Sequence, residues 1–306
     1  MGEGYNPELK NIGFFMEAIE MTAKILITGA TGTIGRRVVE QMSSRRADVR
    51  AACRSANKIA AMNLPGVEAV DMDLARPDGW GRAFDGIEKV FFATPTPVND
   101  NYVDTAARFV DAAKLSGVKH IVRLSGNGAD YEPCIALARW HRIIERYIMA
   151  SGLEYTMLRP SPFMQNFVNF YRPVNGAICL PLGLGKVAYI DAGDVARCAV
   201  AALTGAGHTG KAYTLTGAEA LTIAEIADIL SNATGKKTTY ADVPEESARN
   251  AMKEHGMPAL AIDALMELYA ICKAGYVAGV TDAVERITGK KPTTFSAFAA
   301  DHASAF

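Results

Sequence analysis

A glycine-rich turn lies between an apolar strand and a helix near the start of the chain. Residues 25–28 are Ile-Leu-Ile-Thr, and they are followed directly by Gly29-Ala30-Thr31-Gly32-Thr33-Ile34-Gly35. Such a turn brings unpaired helix N–H groups and the positive end of the helix dipole to one point, where phosphate binds well. Gly29 permits the tight turn, Gly32 lets the backbone approach a pyrophosphate, and Gly35 lets the helix pack against the strand. With a second apolar strand at 49–53, the pattern predicts a dinucleotide-binding βαβ unit.

Strand-like and helix-like patterns alternate along the first half of the chain. In the helix predicted from residue 101, small apolar residues recur at spacings of three and four, which gives one apolar face. The predicted helices are at 33–44, 101–115 and 133–150. The predicted strands are at 24–28, 49–53, 68–71, 89–93, 120–125 and 154–159. This alternation indicates an α/β fold, with a doubly wound, Rossmann-like parallel sheet between two layers of helices.

The pattern changes after residue 159, where prolines and glycines become frequent and long helical runs stop. A helix is predicted at 193–203 and a strand at 212–216. A further helix is predicted to begin after Thr222, because Glu225 three residues later completes a capping box. The rest of the chain is predicted to be mostly helical.

These patterns divide the chain into three parts. An N-terminal extension (1–21) contains no recognisable motif, and its role stays open. The nucleotide-binding core is predicted at 22–160. A smaller, mostly helical substrate-binding part is predicted at 161–306, and core elements return within it at about 186–216.

Composition argues against several classes of function. The formal net charge of −1 gives no electrostatic reason to bind nucleic acid or an anionic membrane. No apolar run reaches the roughly 18 residues of a membrane helix, and no basic segment of a secretory signal is present. The five cysteines are scattered singly, which predicts reduced thiols in a cytoplasmic protein. Asp191 and Asp194 are spaced like metal ligands, but a helix N-terminus explains Asp194 better, so no metal is predicted.

The residue that ends the second strand distinguishes NAD from NADP. An acidic residue there accepts the ribose 2′-hydroxyl of NAD, whereas a basic residue accommodates the 2′-phosphate of NADP. Arg54 occupies this position without an acidic neighbour. Lys58 and Arg36 are expected to converge with Arg54 on the same phosphate, where charge-assisted hydrogen bonds are strong. NADP(H) is therefore the predicted cofactor.

Further cofactor contacts are predicted where the next strands end. Asp73 and Leu74 follow the third strand, and Asp73 either accepts the adenine amino group or stabilises a turn. Ala93, Thr94 and Pro95 follow the fourth strand, at the edge where open parallel sheets bind their ligands.

Other segments complete a set of motifs that occur in one order along the chain. They are Ala112-Ala113-Lys114-Leu115-Ser116-Gly117-Val118-Lys119-His120-Ile121-Val122, His141…Glu145 before Ser151-Gly152-Leu153, Leu158-Arg159-Pro160-Ser161-Pro162-Phe163-Met164-Gln165-Asn166, Asp191-Ala192-Gly193-Asp194-Val195-Ala196 and Phe295…Phe298…Asp301-His302. Together with the glycine turn, these motifs resemble the NmrA-like group of atypical short-chain dehydrogenase/reductases over residues 22–306. That group includes NADPH-dependent type-2 quinone oxidoreductases and triphenylmethane-dye reductases.

The resemblance implies roles for residues in the second half of the core. His141 would bind the nicotinamide ribose hydroxyls and is a tentative proton donor; alternatively, it is a solvated helix histidine with Glu145 as its partner. Ser125, Pro160 and Phe163 would also contact the cofactor. The candidates for the substrate pocket are Asn127, Phe163, Met164, Asn166, Phe167 and Tyr171.

The Tyr–Lys pair of most short-chain dehydrogenases is missing. That Tyr protonates the developing alkoxide, and the Lys one helical turn later lowers its pKa. Here residue 141 is His, residue 137 is Leu, and Tyr131 has no Lys at the required spacing. Acceptors that delocalise the incoming charge, or that begin cationic, need less help from an acid. Quinones, iminium ions, cationic dyes and activated conjugated carbonyls fit this description, and the protein would mainly orient them.

The sequence therefore predicts an NADPH-dependent reductase for a conjugated or cationic small molecule, with quinones as the leading class. Two alternatives stay open, since a nucleotide-sensing regulator without turnover, or a biosynthetic ene- or imine-reductase, would share the same cofactor site. The oligomeric state, a homodimer included, also stays open.

Overall fold

A parallel seven-stranded sheet forms the centre of the computed structural model, which describes residues 24–94, 101–132 and 134–306. The strand order in this sheet is β3-β2-β1-β4-β5-β6-β8, and β7 pairs with β9 in a separate parallel ribbon. The strands found among the described residues are β1 (Lys24–Ile27), β2 (Val49–Cys53), β3 (Val67–Asp71), β4 (Ile87–Phe92), β5 (His120–Leu124), β6 (Glu154–Pro160), β7 (Ala177–Leu180), β8 (Lys211–Leu215) and β9 (Thr239–Asp242). The strand order reverses between β1 and β4, which is where doubly wound sheets bind their ligands.

Helices cover both faces of this sheet and form most of the C-terminal part. Those in the described segments are α1 (Gly35–Ser44), α2 (Asn57–Ala60), α3 (Gly81–Phe84), α4 (Tyr102–Leu115), α5 (Ala136–Ala150), α6 (Asn166–Asn169), α7 (Ala192–Thr204), α8 (Ile223–Thr234), α9 (Glu245–Glu254), α10 (Ala259–Lys273), α11 (Ala283–Thr288) and α12 (Phe295–Asp301). Two short 3₁₀ helices occupy Pro77–Gly79 and Ala303–Ala305.

The core of the sheet has two separate faces. Ile25 and Ile27 of β1 pack with α1 and α7 on one face, whereas Leu26 packs with α3, α4 and α5 on the other. On the second face, Phe92 stacks on Phe109 with 4.2 Å between ring centroids. Because both faces are covered, the central strands are continuous apolar runs rather than alternating ones.

A third apolar cluster holds the C-terminal part together. The ring of Phe167 is fully buried there and makes T-shaped contacts with Tyr189 and Phe295. Helix α8 begins with the predicted capping box, because Thr222 Oγ1 accepts from the Glu225 N–H while Glu225 Oε2 accepts from the Thr222 N–H. Helix α7 and strand β8, which lie largely in the segment expected to return to the core, join the central sheet and its first face.

Helices α1 and α5 begin two and three residues later than predicted. Helix α1 starts at Gly35 rather than at residue 33, because the Gly32 N–H first closes the turn onto Gly29 O at 2.8 Å. Helix α5 starts at Ala136, where the backbone N–H donates to Glu267 Oε2 at 2.6 Å. The N-terminal extension (1–21) and Pro95 lie outside the described residues.

Candidate cofactor and active site

The glycine turn presents open backbone at the C-terminal end of β1. Gly29 has a φ of +61°, which only glycine adopts without strain. A Cβ on Gly35 would lie 2.2 Å from Gly29 O, so no side chain fits between the turn and α1. Thr31, Gly32 and Thr33 are exposed, whereas Ile34 is buried in the first face of the sheet core. The turn is therefore a rigid backbone cradle of the kind that binds a pyrophosphate.

Thr28 joins this turn to the end of β4. Its hydroxyl oxygen lies 2.9 Å from the Ala93 N–H, which donates to it, and 2.9 Å from Ala93 O. Ala93 in turn lies beside Gly29. The structure thus brings Ala93 and Thr94 to the point where the strand order reverses, next to the glycine turn.

The three predicted phosphate-binding cations lie in α1 and in the segment that follows β2. Arg54 and Lys58 are exposed after β2, as expected for residues that meet a charged ligand. Arg36 instead pairs with Glu40 on its own helix, with 2.8 Å between Nε and Oε1. Residues four apart on a helix are neighbours and form such pairs readily. Arg54 lines a depression of about 240 Å³ together with Asp71, Met72, Asp73, Arg76 and Gly79.

The contacts of Asp73 agree with the second of its two predicted roles, the stabilisation of a turn. Its Oδ1 accepts from the Ala75 N–H at 3.0 Å, and its backbone oxygen accepts from Trp80 Nε1 at 2.8 Å. Its carboxylate is only partly exposed, and the neighbouring Leu74 packs against the second face of the core. Asp73 therefore shapes the end of β3, whether or not it also meets an adenine.

A buried polar network lies at the ends of β5 and β6. Ser125 Oγ donates to Glu145 Oε1 at 2.5 Å, and Arg159 binds both oxygens of the same carboxylate at 3.0 and 2.6 Å. The Arg159 guanidinium also pairs with Asp130 at 2.8 Å. Burial alone would lower the pKa of Arg159, but the carboxylates of Glu145 and Asp130 outweigh burial and raise it. The hydrogen of Ser125 is therefore committed to Glu145, and the network ties both strands to α5.

The end of β6 is also held to the loop after β5. The Asn127 N–H donates to the backbone oxygen of the buried Pro160 at 3.0 Å, and Asn127 Nδ2 donates to Ser161 Oγ at 3.2 Å. Asn127 remains partly exposed while it serves this structural role.

The His141 ring packs on the backbone that follows β5. A Cβ on Gly126 would lie 2.8 Å from His141 Cδ2, so glycine is required beneath the ring. The Nδ1 atom is enclosed and has no hydrogen-bond partner among the described residues. Burial, followed by the charge of Arg123, lowers the pKa of His141 to about 3. The ring is therefore neutral at pH 7, which weighs against the proton-donor role predicted for it.

Arg123 is a residue that the sequence analysis missed. Its side chain is fully buried beneath the ends of β4 and β5. Nη1 donates to Phe92 O at 3.0 Å, and Nη2 donates to Thr94 Oγ1 at 2.9 Å and to Tyr102 OH at 3.1 Å. One signal was available, namely a single charge inside the otherwise apolar central strand Ile121-Val122-Arg123-Leu124.

The six candidates for the substrate pocket are not all accessible to a ligand. Met164 and Phe167 are buried in the third apolar cluster, so their side chains form core rather than an open pocket. This corrects the prediction, because an aromatic stripe packs inward when two neighbouring elements cover it. Phe163, Asn166, Tyr171 and Asn127 are partly exposed and stay candidates. Phe170, in the same segment, is 76% exposed.

Asp191 and Asp194 have structural partners. Asp191 Oδ1 accepts from the Gly193 N–H at 2.7 Å and caps α7, while the buried Asp194 binds Thr293 and Arg197. In the described segments, no cluster of three His, Cys, Asp or Glu side chains is arranged to bind a metal. The same residues contain no helix that is long and apolar enough to cross a membrane.

Known proteins share both the sequence and the fold of this chain. The chain is 39% identical to the NAD(P)H azoreductase of Xenophilus azovorans over 284 residues, which cover 92% of this chain and 99% of that protein. The Citrobacter sp. triphenylmethane reductase complexed with NADP(H) superposes with a TM-score of 0.79 at 29% identity, covering 92% and 99% of the two chains. The NADPH complex of an Escherichia coli quinone oxidoreductase superposes with a TM-score of 0.81 at 28% identity, covering 91% and 99%.

The expected Rossmann-like fold is confirmed by these superpositions and by the strand order of the sheet. The NmrA-like family model matches residues 21–299, which is nearly the whole chain. The chain therefore belongs to the NmrA-like family.

Proposed function

We propose that the protein reduces conjugated or cationic small molecules with NADPH, and that quinone-type acceptors are its favoured substrates. The protein is an NAD(P)H-dependent oxidoreductase, and its cofactor is NADP(H). The proposed substrate class rests on one observation. Ser125 and His141, the two side chains expected near the point of hydride transfer, are not available as proton donors. Ser125 directs its hydrogen to Glu145, and His141 is neutral at pH 7.

The residues present fit the cofactor. The glycine turn offers a cradle that a Cβ would fill, and the exposed Arg54 lies where a 2′-phosphate is expected. The enclosed Nδ1 of His141 lacks a partner, and an orphaned buried nitrogen supports a hydrogen bond to a ribose hydroxyl. When bound, the cofactor supplies a hydride from its nicotinamide ring. The protein binds and orients the two reactants.

The missing acid limits which acceptors are reduced quickly. A plain ketone develops a localised alkoxide that requires a proton donor, whereas a quinone delocalises the charge over its own π system. A cationic dye loses its charge on accepting hydride. Orientation alone can supply roughly 7 kcal/mol or more in favourable cases, which is enough for such activated acceptors. The partly exposed Phe163, Tyr171 and the exposed Phe170 support a flat aromatic substrate.

The test is NADPH oxidation by the full-length protein against quinones, azo dyes, triphenylmethane dyes, enones, iminium salts and unactivated ketones. NADH is run in parallel, and reactions without protein control for direct chemical reduction. We expect turnover with conjugated or cationic acceptors, little with plain ketones, and a preference for NADPH. Comparable rates with plain ketones would contradict the missing-acid interpretation. Tight NADPH binding without any turnover would contradict the reductase and identify a nucleotide sensor instead.

A further inference from the structure

Arg123 differs from the other buried arginines of the described residues in its partners. Arg50 binds Glu68, Arg142 binds Glu132, and Arg159 binds Glu145. Arg123 is the most deeply buried of these side chains, at 0% exposed, yet its hydrogen bonds reach only one carbonyl and two hydroxyls. Its Nε has no partner in the described structure. A buried charge is costly without a carboxylate, so this guanidinium keeps a positive field that its known neighbours do not cancel.

The contacts that Arg123 does make fix its charge in place. Its Cζ lies 4.8 Å from the centroid of the Phe92 ring, a favourable position for a cation over an aromatic face. Thr94 Oγ1 and Tyr102 OH lie 2.6 Å apart and both accept from Nη2. The guanidinium is therefore held by three elements, namely β4, α4 and its own strand β5.

This charge lies on the reacting side of the candidate site. Thr94 lies just after β4 at the reversal of strand order, and the His141 ring is close enough that the charge of Arg123 contributes to the lowered pKa of that ring. Arg54 directly follows β2 and lies on the opposite side of the candidate site, where the 2′-phosphate is expected. A dinucleotide that extends from Arg54 across the reversal has its nicotinamide half toward β4 and β5.

We infer that Arg123 determines which redox form of the cofactor the protein prefers. The oxidised nicotinamide ring carries a positive charge, whereas the reduced ring is neutral. The buried guanidinium repels the oxidised ring and leaves the reduced ring unaffected, so the protein binds NADPH in preference to NADP⁺. The inference rests on the proposed function through its NADP(H) site, and Arg123 acts through space as a positioning charge without contact.

The expected size follows from electrostatics. At the effective dielectric constant of about 20 that describes most protein sites, a unit charge roughly 12 Å away changes binding on the order of tenfold. Such a preference would load the site with the reduced cofactor and speed release of the oxidised product. It would also favour negative charge that develops on the acceptor during reduction.

The experiment measures binding alone, without an acceptor. The full-length protein is titrated separately with NADPH and with NADP⁺, and the quantity compared is the ratio of the two Kd values, NADP⁺ over NADPH. Arg123→Met should lower this ratio about tenfold, whereas Arg123→Lys, which keeps the charge, should restore most of it. Arg50→Met removes a buried arginine that has a carboxylate partner, and it should leave the ratio unchanged.

Thermal unfolding shows which variants fold. If Arg123→Met does not fold, Tyr102→Glu replaces it, because a carboxylate beside Nη2 cancels the charge and should lower the ratio in the same direction. An unchanged ratio in a folded variant that binds both nucleotides would overturn the inference. Equal weakening of both nucleotides would also overturn it, since that is the effect of a purely structural residue. Failure of the wild-type protein to bind either nucleotide would instead overturn the proposed function.

Discussion

The two ends of the candidate site differ in that backbone forms one and side chains form the other. The proposed phosphate end is a single run of seven residues, Gly29–Gly35, and its shape comes from backbone that no side chain may crowd. The reacting end is assembled from side chains that lie far apart in the chain, among them Thr94, Arg123, Glu145 and Arg159. A glycine turn that binds through its backbone loses its shape when a side chain is added. A network of buried side chains is instead destabilised when one charge is removed. The two ends should therefore fail in different ways.

Gly35→Val should have the largest effect. The new Cβ would lie 2.2 Å from Gly29 O, so the turn and α1 cannot keep their positions. We expect NADPH affinity to fall on the order of a hundredfold or more, with a lower unfolding temperature. Nucleotide titration and thermal unfolding measure the two effects. Gly81→Ala, where a Cβ meets nothing within 4 Å, is the matched control. Near-normal binding by Gly35→Val would show that the turn is not the phosphate site.

Glu145→Gln should mainly reduce stability at the other end. The carboxylate is 2% exposed and receives hydrogen bonds from Ser125 and Arg159, so its loss leaves a buried guanidinium with one partner fewer. We expect the free energy of unfolding in urea to fall by about 3 kcal/mol. Glu40→Gln breaks the exposed pair with Arg36 and should cost less than about 1 kcal/mol. Similar costs for both variants would mean that the buried network is not structural.

Arg54→Glu tests whether Arg54 binds the 2′-phosphate of the cofactor. Reversing this charge should weaken NADPH binding roughly thirtyfold and NADH binding much less, because only NADPH carries a 2′-phosphate. Arg36→Gln should change NADPH binding little, since Arg36 already pairs with Glu40. Parallel titrations with both cofactors decide the matter. Equal weakening of NADPH and NADH would contradict the 2′-phosphate role of Arg54.

The pH dependence of stability gives the smallest expected effect. The pKa of His141 is about 3 in the folded protein, against 6.5 as its ordinary value. Between these two pH values the His141 ring is protonated in the unfolded chain but stays neutral in the folded protein. The free energy of unfolding therefore falls as the pH falls from 6.5 toward 3. One such group costs up to about 1.4 kcal/mol per pH unit in this window.

Urea unfolding at pH 7, 6 and 5 should therefore show a shallower slope for His141→Gln than for the wild type. The burial of His120 and His208 also lowers their pKa values, so part of the wild-type slope should remain in the variant. His255→Gln, which replaces an exposed histidine, is the control. Identical slopes for the wild type and His141→Gln would show that His141 is not enclosed in the folded protein.

Patterns that depend on neighbouring residues were predictable. The glycine turn, the alternation of strands and helices, and the capping box at Thr222 and Glu225 all occur in the structure, because each depends on spacings of a few residues. Contacts between residues that lie far apart in the sequence were not predictable in this way. Met164 and Phe167 were assigned to a pocket, but elements from the C-terminal part cover them.

The sequence by itself determined the parallel sheet, the glycine turn and the choice of cofactor class, since these follow from local periodicity and from the steric freedom of glycine. Only the tertiary structure decided the chemistry of the reacting end. It directed the Ser125 hydrogen to Glu145, kept His141 neutral and left Arg123 with a buried charge. These properties depend on burial and on contacts between distant segments, and both exist only once the strands are paired and the helices are packed.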